Sequence, residues 1–302
     1  MTRLPQIGWL ADGRRLHLQD GPIDLIVEAR GAETVVRVAY EAAVRRFTGL
    51  LDELCKELPE LRTAAQPDAC GLNGIVARRM HDAVAPFVRD HFITPMAAVA
   101  GSVAEEILGA MVEATDLDQA YVNNGGDIAL HLAGDERFTV GLVDRPDTPA
   151  LIGTTVIAAS DPTRGIATSG WRGRSFSLGI ADAVTVLART AAQADAAATI
   201  IANSVDLPGH PAIVRCPAMQ IQPDSDLGAR LVTRDVRRLP PDDIAAALAA
   251  GADCARMLLA AELIDGAAIH LQGETRVVAL KSVGDVAPIP RRTTRTESLM
   301  HA

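Results

Sequence analysis

Apolar residues recur at helical spacing in five parts of the chain, with charged or small residues between them. Segment 33–57 carries charges on its opposite side, which predicts one long amphipathic helix. Asn73 is placed to cap a second helix that ends near Arg89. The other predicted helices are 96–114, 190–204 and 242–263, the last entered through prolines and two aspartates that favour a helix start.

Short runs rich in β-branched and alternating apolar residues predict strands in the rest of the chain. Residues 14–30 form two of them, joined by a turn whose Asp-Gly-Pro sequence favours a tight reversal. The other predicted strands are 120–123, 128–132, 137–143, 154–158, 183–187, 231–236, 268–271 and 275–280. Because strands of antiparallel type alternate with long helices, the sequence predicts an α+β fold.

The 302 residues contain no clear internal repeat and no linker long enough to separate independent domains. We therefore predict a single domain over 1–285. Residues 286–302 are rich in Pro, Arg and Thr and have no periodicity, which predicts a flexible C-terminal tail.

The formal net charge of −9 argues against nucleic acid or an anionic membrane as the main partner, because both attract basic surfaces. The low aromatic content, 3 %, leaves few side chains on which bases could stack. The first residues lack an apolar signal-peptide core, and we expect no apolar run of membrane-spanning length. Cysteine and histidine spacings match no zinc motif. The sequence thus predicts a cytoplasmic protein with a small-molecule partner.

Three segments combine small residues with oxygen donors, so that backbone can approach a ligand closely. They are 123–127 (NNGGD), 167–170 (ATSG) and 194–199 (ADAAAT). In the third, a helix would place Asp195 and Thr199 on one face, one turn apart. A carboxylate and a hydroxyl suit Mg²⁺, which takes few protein ligands and adds water and phosphate. The alternative is that Asp195 complements a helix dipole and Thr199 bonds back to a carbonyl.

The other segments also have structural alternatives. Gly125 and Gly126 would form a hairpin turn, or with Asn124 and Asp127 would hold the ribose or phosphate edge of a ligand. The hydroxyls and amides of 168–170 would cradle a phosphate or form an ordinary loop.

Two further features are open in the same way. Trp171 would stack on a flat ring system or be buried in the core. The small residues of 97–102 would allow close approach of a second helix or of a ligand.

In their order along the chain, these motifs resemble the ApbE-like superfamily, whose best-known members are FAD:protein FMN transferases. The matching motifs are NGGDI at 124–128, ATSG at 167–170, a β-run at 184–186 and ADAAAT at 194–199. The resemblance covers about 95–205. It implies two closely packed α/β lobes with an antiparallel sheet and long helices.

The resemblance also implies a ligand. In the flavin transferases, the Asp and Thr of the last motif bind magnesium beside the pyrophosphate of FAD, which assigns magnesium to Asp195 and Thr199. FAD or FMN is the implied cofactor. The implied cofactor-binding residues are Asn124, Gly125, Gly126, Thr168, Ser169, Gly170 and Trp171.

Two segments depart from the transferase pattern. Where the transferases have His-x-x-Asp-Pro-x-Thr-Gly, this chain reads SFSLGIAD at 175–182 and keeps only Asp182. The Gly-Ile-Ala-Lys-Gly helix start is replaced by AGSVAE at 100–105, without the lysine. The chain thus resembles the uncharacterised cytoplasmic branch of the superfamily in bacteria and methanogenic archaea, for which the fold does not fix the reaction.

Different classes of function follow from these residues. One is magnesium-dependent chemistry on a nucleotide or phosphorylated cofactor, with Asp127 or Asp182 assisting proton transfer. Another is a non-catalytic protein that holds a flavin or similar cofactor in the same cleft. A third is a different cofactor-biosynthetic step on the same scaffold. The sequence leaves the oligomeric state open, a homodimer included.

Overall fold

The computed structural model describes residues 4–67, 71–145 and 151–279. The strands are β1 (Gln6–Trp9), β2 (Leu16–Asp20), β3 (Ile23–Arg30), β4 (Gln119–Asn124), β5 (Asp127–Leu132), β6 (Arg137–Val143), β7 (Leu151–Ala158), β8 (Gly165–Ser169), β9 (Ala183–Ala188), β10 (Ile213–Pro217), β11 (Leu231–Val236), β12 (Gly266–Leu271) and β13 (Glu274–Ala279). The helices are α1 (Glu33–Phe47), α2 (Leu50–Lys56), α3 (Leu58–Leu61), α4 (Ile75–Val84), α5 (Val99–Ala114), α6 (Ala191–Ser204), α7 (Ala218–Ile221) and α8 (Pro241–Ala260).

Nine strands form one sheet, in the order β1-β2-β3-β4-β5-β8-β9-β12-β13. Every neighbouring pair in it is antiparallel. The pairs β6–β7 and β10–β11 form two smaller antiparallel sheets. The α+β fold with an antiparallel sheet is therefore confirmed.

Helices cover one face of the large sheet in two groups, and each group has its own hydrophobic core. The first group packs on β2–β5 through residues that include Leu25, Phe47, Met80 and Ile107. The second packs on β8, β9 and β12 through residues that include Val184, Ile201, Leu248 and Ile269. Helices α5 and α6 contact each other where the groups meet. The predicted pair of closely packed lobes is thus confirmed.

The opposite face of the sheet carries the β6–β7 ribbon. Leu130, Ile166 and Leu187 of the sheet pack there against Ile157 of β7. We call this side the ribbon face, and the side that carries Val122, Ala129 and the helices the helix face. Because side chains alternate along a strand, neighbouring residues point to different faces.

The single helix predicted over 33–57 is wrong, because the structure divides it into α1 and α2. Gly49 lies between them with φ of +85°, a left-handed conformation that a glycine adopts without the steric cost of a Cβ atom. Helix α4 starts at Ile75 rather than directly after Asn73. Its entry is held by Glu57, whose carboxylate accepts hydrogen bonds from the amides of Asn73 and Gly74.

Strand β10 matches none of the predicted strands, and neither do two others. The first of these two is β1, a four-residue edge strand with largely exposed side chains, which gives no alternating apolar pattern. The second is β8, which the sequence analysis interprets as part of a loop. The hydroxyl and glycine residues of 165–169 are typical of loops, but pairing with β5 and β9 holds them in a strand.

One described segment, Pro95–Ala114, is long and apolar enough to cross a membrane by length and composition, so the expectation of no such run is wrong. Half of it is buried inside the protein. Its helix α5 contacts α1, α6, β4 and β5, which is the environment of a core helix. The predicted tail at 286–302 lies outside the described residues, and the domain limits of 1–285 stay a prediction.

Candidate functional site

Three of the predicted motifs meet at one end of the large sheet. Strand β4 ends at Asn124, β5 begins at Asp127 opposite it, and β8 ends at Ser169 beyond the β5 pairing. Helix α5 begins at the same place, because the side-chain amide of Asn124 donates to the carbonyl oxygen of Ala100 over 3.2 Å. The sheet thus brings together residues that are widely separated in sequence.

Helix α6 supplies Asp195, which lies at the N-terminus of α5. Its Oδ2 accepts a hydrogen bond of 3.0 Å from the amide of Gly101. The first amides of a helix have no partner within it, and they carry the positive end of the helix dipole. Asp195 therefore does complement a helix dipole, but that of α5 rather than that of its own helix.

Gly101 explains how α5 and α6 come this close. A Cβ atom there would collide with the backbone carbonyl of Ala191. Of the two alternatives for the small residues of 97–102, close packing of a second helix is thus what the structure shows at Gly101.

Asp127 and Asp195 form an electrostatically interacting pair. Burial raises the pKa of Asp127 from 3.8 to about 7, although the amide of Thr168 and the charge of Arg174 oppose the rise. Burial and the negative charge of Asp127 together raise the pKa of Asp195 well above its ordinary value. Two carboxylates that destabilise each other's charged form make a site that favours a cation.

Thr199 lies one turn after Asp195 on α6 and is half-buried. Within the described part of the chain, its hydroxyl makes no hydrogen bond, whereas Ser204 on the same helix bonds back to the carbonyl of Ile200. The alternative role of Thr199, bonding back to a carbonyl, is therefore not supported.

The Asn-Gly-Gly-Asp turn is a two-residue hairpin loop between β4 and β5. Gly125 and Gly126 have φ of +67° and +116°, and Asn123 accepts from the amide of Gly126 over 2.8 Å. The side chain of Asn124 is bonded to Ala100. The segment therefore acts as a hairpin turn, which was one of its two predicted roles. Because the amide of Gly126 is used within the turn, Asp127 is the group at this turn that remains for a ligand.

The Thr168-Ser169-Gly170 segment is divided between the two faces of the sheet. Thr168 pairs with Thr185, and their hydroxyls are 3.0 Å apart on the ribbon face. Only the amide of Thr168 reaches Asp127, over 3.2 Å. By alternation, Ser169 points to the helix face, the side of Asp127. The two hydroxyls therefore lie on opposite faces of the sheet, and the cofactor-binding roles of Thr168, Ser169 and Gly170 stay predictions.

Asp182 is buried, with 3 % of its surface exposed, and both of its carboxylate oxygens are engaged. Oδ1 accepts from the indole of Trp171 over 3.2 Å and from Nε of Arg172 over 2.6 Å. Oδ2 accepts from the amide of Gln272 over 2.6 Å. A catalytic role for Asp182 stays a prediction, and its contacts favour holding the 170–174 segment and the β12–β13 turn in place.

Trp171 packs at the edge of the second core, half-buried. The guanidinium of Arg172 lies 4.3 Å from the centre of its ring, a cation–π contact. Gly170, with φ of +153°, lies directly against the carbonyl oxygen of Asp182, in space that a Cβ atom would fill. These contacts occupy one face of the indole and favour the core alternative over stacking on a ligand.

Sequence reasoning missed two residues of the site. Arg174 extends over Gly125, and Glu105 of α5 faces the first amides of α6. The WRGR run directly after the TSG motif was a signal for the first, because it places a cation next to a predicted phosphate loop. Glu105 had no such signal.

Among the described residues, no three His, Cys, Asp or Glu side chains are grouped closely enough to form a metal site by themselves. Asp127, Asp195 and Thr199 together offer two carboxylates and one hydroxyl. Mg²⁺ commonly takes one or two carboxylates from a protein when phosphate and water complete its octahedron.

Comparison with known proteins gives relatives of two kinds. A UPF0280 protein of Methanothrix thermoacetophila is 42 % identical over 117 residues, which is 37 % of this chain and 46 % of the relative. A UPF0280 protein of Methanococcoides burtonii is 33 % identical over 180 residues, 59 % of this chain and 72 % of the relative. The match thus spans less than half the length of the first relative.

Among solved structures, the flavin transferase ApbE from Vibrio cholerae superposes with a TM-score of 0.34 at 12 % identity, over 89 % of this chain and 98 % of that one. The family described as AbpE bacteria matches residues 7–277. Because that match includes the sheet, both helix groups and the carboxylate pair, the chain belongs to this ApbE-like family.

Proposed function

We propose that this chain binds a phosphorylated cofactor together with magnesium at Asp127, Asp195 and Thr199. The observation that carries the proposal is the meeting of two carboxylates from β5 and α6 beside the N-terminus of α5, where Asp195 accepts from the amide of Gly101 and burial disfavours both charges. The hydroxyl of Thr199 follows one turn later on α6, free of internal hydrogen bonds among the described residues.

This donor set fits magnesium. The residues offer hard oxygen ligands, and a divalent cation would favour the charged form of both carboxylates, which the protein alone disfavours. When bound, magnesium supplies charge neutralisation and orientation for phosphate oxygens. The chain's own groups position that ligand: Ser169 faces the same side of the sheet as Asp127, and Gly125 gives the adjoining turn no side chain.

Flavin nucleotides are the first ligands to test. The motifs at 124–128, 167–170 and 194–199 resemble those of FAD:protein FMN transferases, and the chain belongs to an ApbE-like family. Of the cofactor-binding residues predicted from the resemblance, Gly125, Gly126 and Ser169 are retained in this proposal.

Asp127 is the residue best suited to proton transfer if the cofactor is turned over. Its pKa of about 7 applies to the protein without a bound cation, so Asp127 accepts or releases a proton only where Asp195 and Thr199 hold the magnesium without it. Asp182 is excluded from this role in the proposal, because its oxygens already hold Trp171, Arg172 and Gln272.

Calorimetric titration tests the proposal, with MgCl₂ alone and with FMN or FAD in the presence of magnesium. We expect Asp195→Asn and Thr199→Val each to weaken magnesium binding, because each removes one ligand atom while keeping the side-chain volume. Asp253→Asn is the matched control, since it removes an exposed carboxylate on α8. Equal magnesium affinity in all four proteins would overturn the assignment.

Chromatography of FAD after incubation with the wild-type protein and magnesium separates a catalyst from a binding protein. Release of AMP that Asp127→Asn abolishes supports an enzyme. Binding of FAD without release of AMP supports the non-catalytic alternative, which the missing histidine and lysine of the transferase pattern also favour.

A further inference from the structure

Arg174 sits directly over the Asn-Gly-Gly-Asp turn. A Cβ atom at Gly125 would collide with the guanidinium of Arg174, so the turn is open there because residue 125 has no side chain. Gly126, the next residue, has open space at the same position. The flexible end of Arg174 therefore lies directly against the backbone of the turn at residue 125.

The guanidinium is not used elsewhere in the described part of the chain. Nearby arginines are engaged: Arg172 pairs with Asp182, and Arg164 donates to three backbone carbonyls. Arg174 is exposed to solvent and makes no salt bridge or hydrogen bond within the described residues. Its five N–H donors are thus free for a ligand.

The charge of Arg174 acts on Asp127, one member of the carboxylate pair. Among the groups that lower the pKa of Asp127, it is the one with a positive charge. One guanidinium beside two carboxylates still leaves a negative balance, so Arg174 does not neutralise the pair and does not replace a divalent cation there. An arginine next to a metal site is instead a common anchor for phosphate, which it binds through two parallel N–H bonds.

We propose that Arg174 is the phosphate-recognising, specificity-determining residue of this site, whose guanidinium over the turn at Gly125 binds a phosphate of the ligand. This inference rests on the proposed function, because it assumes that magnesium occupies the carboxylate pair. Inorganic pyrophosphate is the probe that tests this, because one of its phosphates would face the pair while the other reaches Arg174 at the turn. A ligand with no phosphate would leave both positive charges, the magnesium ion and Arg174, without an anionic partner.

The test is calorimetric titration with inorganic pyrophosphate, with and without MgCl₂, on the wild-type protein and four variants. Arg174→Gln should weaken pyrophosphate binding at least tenfold, the size expected for hydrogen bonds to a charged group. Arg174→Lys should recover part of the loss, since a lysine keeps the charge but not the paired geometry. Magnesium binding measured alone should persist in both variants.

Glycine variants provide an independent arm. Gly125→Ala should weaken pyrophosphate binding because it displaces the guanidinium. Gly134→Ala is the matched control: Gly134 also has a left-handed backbone, with φ of +55°, but no atom lies within 4 Å of the added methyl group. Its pyrophosphate binding should equal that of the wild type.

The outcomes separate this inference from the proposed function. If wild-type and Arg174→Gln proteins bind pyrophosphate equally, or the wild type binds none, the inference is overturned even where magnesium still binds. If magnesium does not bind but pyrophosphate does, and depends on Arg174, the role of Arg174 stands and the metal assignment fails.

Discussion

Asp195 of α6 lies at the N-terminus of α5, and Glu105 of α5 lies at the N-terminus of α6. Asp195 accepts a hydrogen bond from the amide of Gly101 at the start of α5. The carboxylate of Glu105 faces the hydroxyl of Thr190 and the first amides of α6, and burial raises its pKa. This exchange of caps fixes the position of α6 along α5, and with it the position of Asp195 beside Asp127.

The cap at α5 predicts different effects for two substitutions of Asp195. Asp195→Ala removes the acceptor for the Gly101 amide and should reduce the free energy of unfolding by about 1–2 kcal/mol. Asp195→Asn keeps an oxygen acceptor and removes the charge, so it should be clearly more stable than the alanine variant. Urea denaturation without magnesium measures both. Equal stability of the two variants would show that the cap contributes nothing.

Close approach of α5 and α6 predicts opposite effects for two glycines of the same helix. At Gly101 an added methyl group collides with the Ala191 backbone, so Gly101→Ala should cost about 1–3 kcal/mol of unfolding free energy. At Gly109 no atom lies within 4 Å, so Gly109→Ala should stabilise by about 0.5–1 kcal/mol, the helix preference for alanine. Urea denaturation checks the signs. A stable Gly101→Ala variant would contradict the packing.

Local pattern predicted most of the elements, because their signals lie within a few residues. Strand β11 has the predicted bounds, and α6 and β5 differ from prediction by one residue. The break at Gly49 was missed because apolar spacing continues across it, and β8 because its strand form depends on pairing with β5 and β9. Such long-range causes leave no periodicity in the sequence.

The candidate site divides in the same way. The carboxylate and hydroxyl of Asp195 and Thr199 follow from helical spacing alone. The hydrogen bond between Gly101 and Asp195 joins residues 94 positions apart, and no local pattern indicates it. Nor could the sequence place the hydroxyls of Thr168 and Ser169 on opposite faces, since this required knowing that the segment is a strand.

Asp127 predicts a pH-dependent stability in the absence of metal. Its pKa is 3.8 ordinarily and about 7 in the folded protein, so folding favours its protonated form. The stabilising contribution is complete below 3.8 and is lost as the pH rises through about 7. The melting temperature of the wild type should fall relative to that of Asp127→Asn between pH 5 and pH 8.

Magnesium should reverse this effect. At pH 8, where Asp127 is charged, added MgCl₂ should raise the melting temperature of the wild type and leave Asp127→Asn nearly unchanged. In a chain of this size, about 1 kcal/mol of stabilisation corresponds to roughly 2–4 °C. A magnesium-dependent rise of equal size in both proteins would place the cation elsewhere.

The contacts of Asp182 predict a loss of stability without a loss of magnesium binding. Asp182→Asn replaces one acceptor oxygen with an NH₂ group, which is a donor. At the Oδ1 position this group would face the donors of Trp171 and Arg172, and at the Oδ2 position it would face the amide of Gln272. We expect a cost of about 1–3 kcal/mol in unfolding free energy, the range for an unsatisfied buried polar group. Calorimetry should give unchanged magnesium affinity. A variant of normal stability that fails to turn over cofactor would instead support the catalytic role.

His270 predicts a pH dependence of the opposite sign. Burial lowers its pKa below 6.5, although the charges of Asp182 and Glu274 oppose the shift, and its Nδ1 lies 2.9 Å from the hydroxyl of Thr275. Folding thus favours the neutral ring, so its contribution is complete above 6.5 and is lost as the pH falls, when the unfolded chain takes up a proton. Asp127 acts in the reverse direction over this range. Melting curves between pH 7.5 and pH 5.5 should therefore be compared in the Asp127→Asn background, where His270→Asn should flatten the remaining decline at low pH. An unchanged decline in the double variant would assign it to other groups.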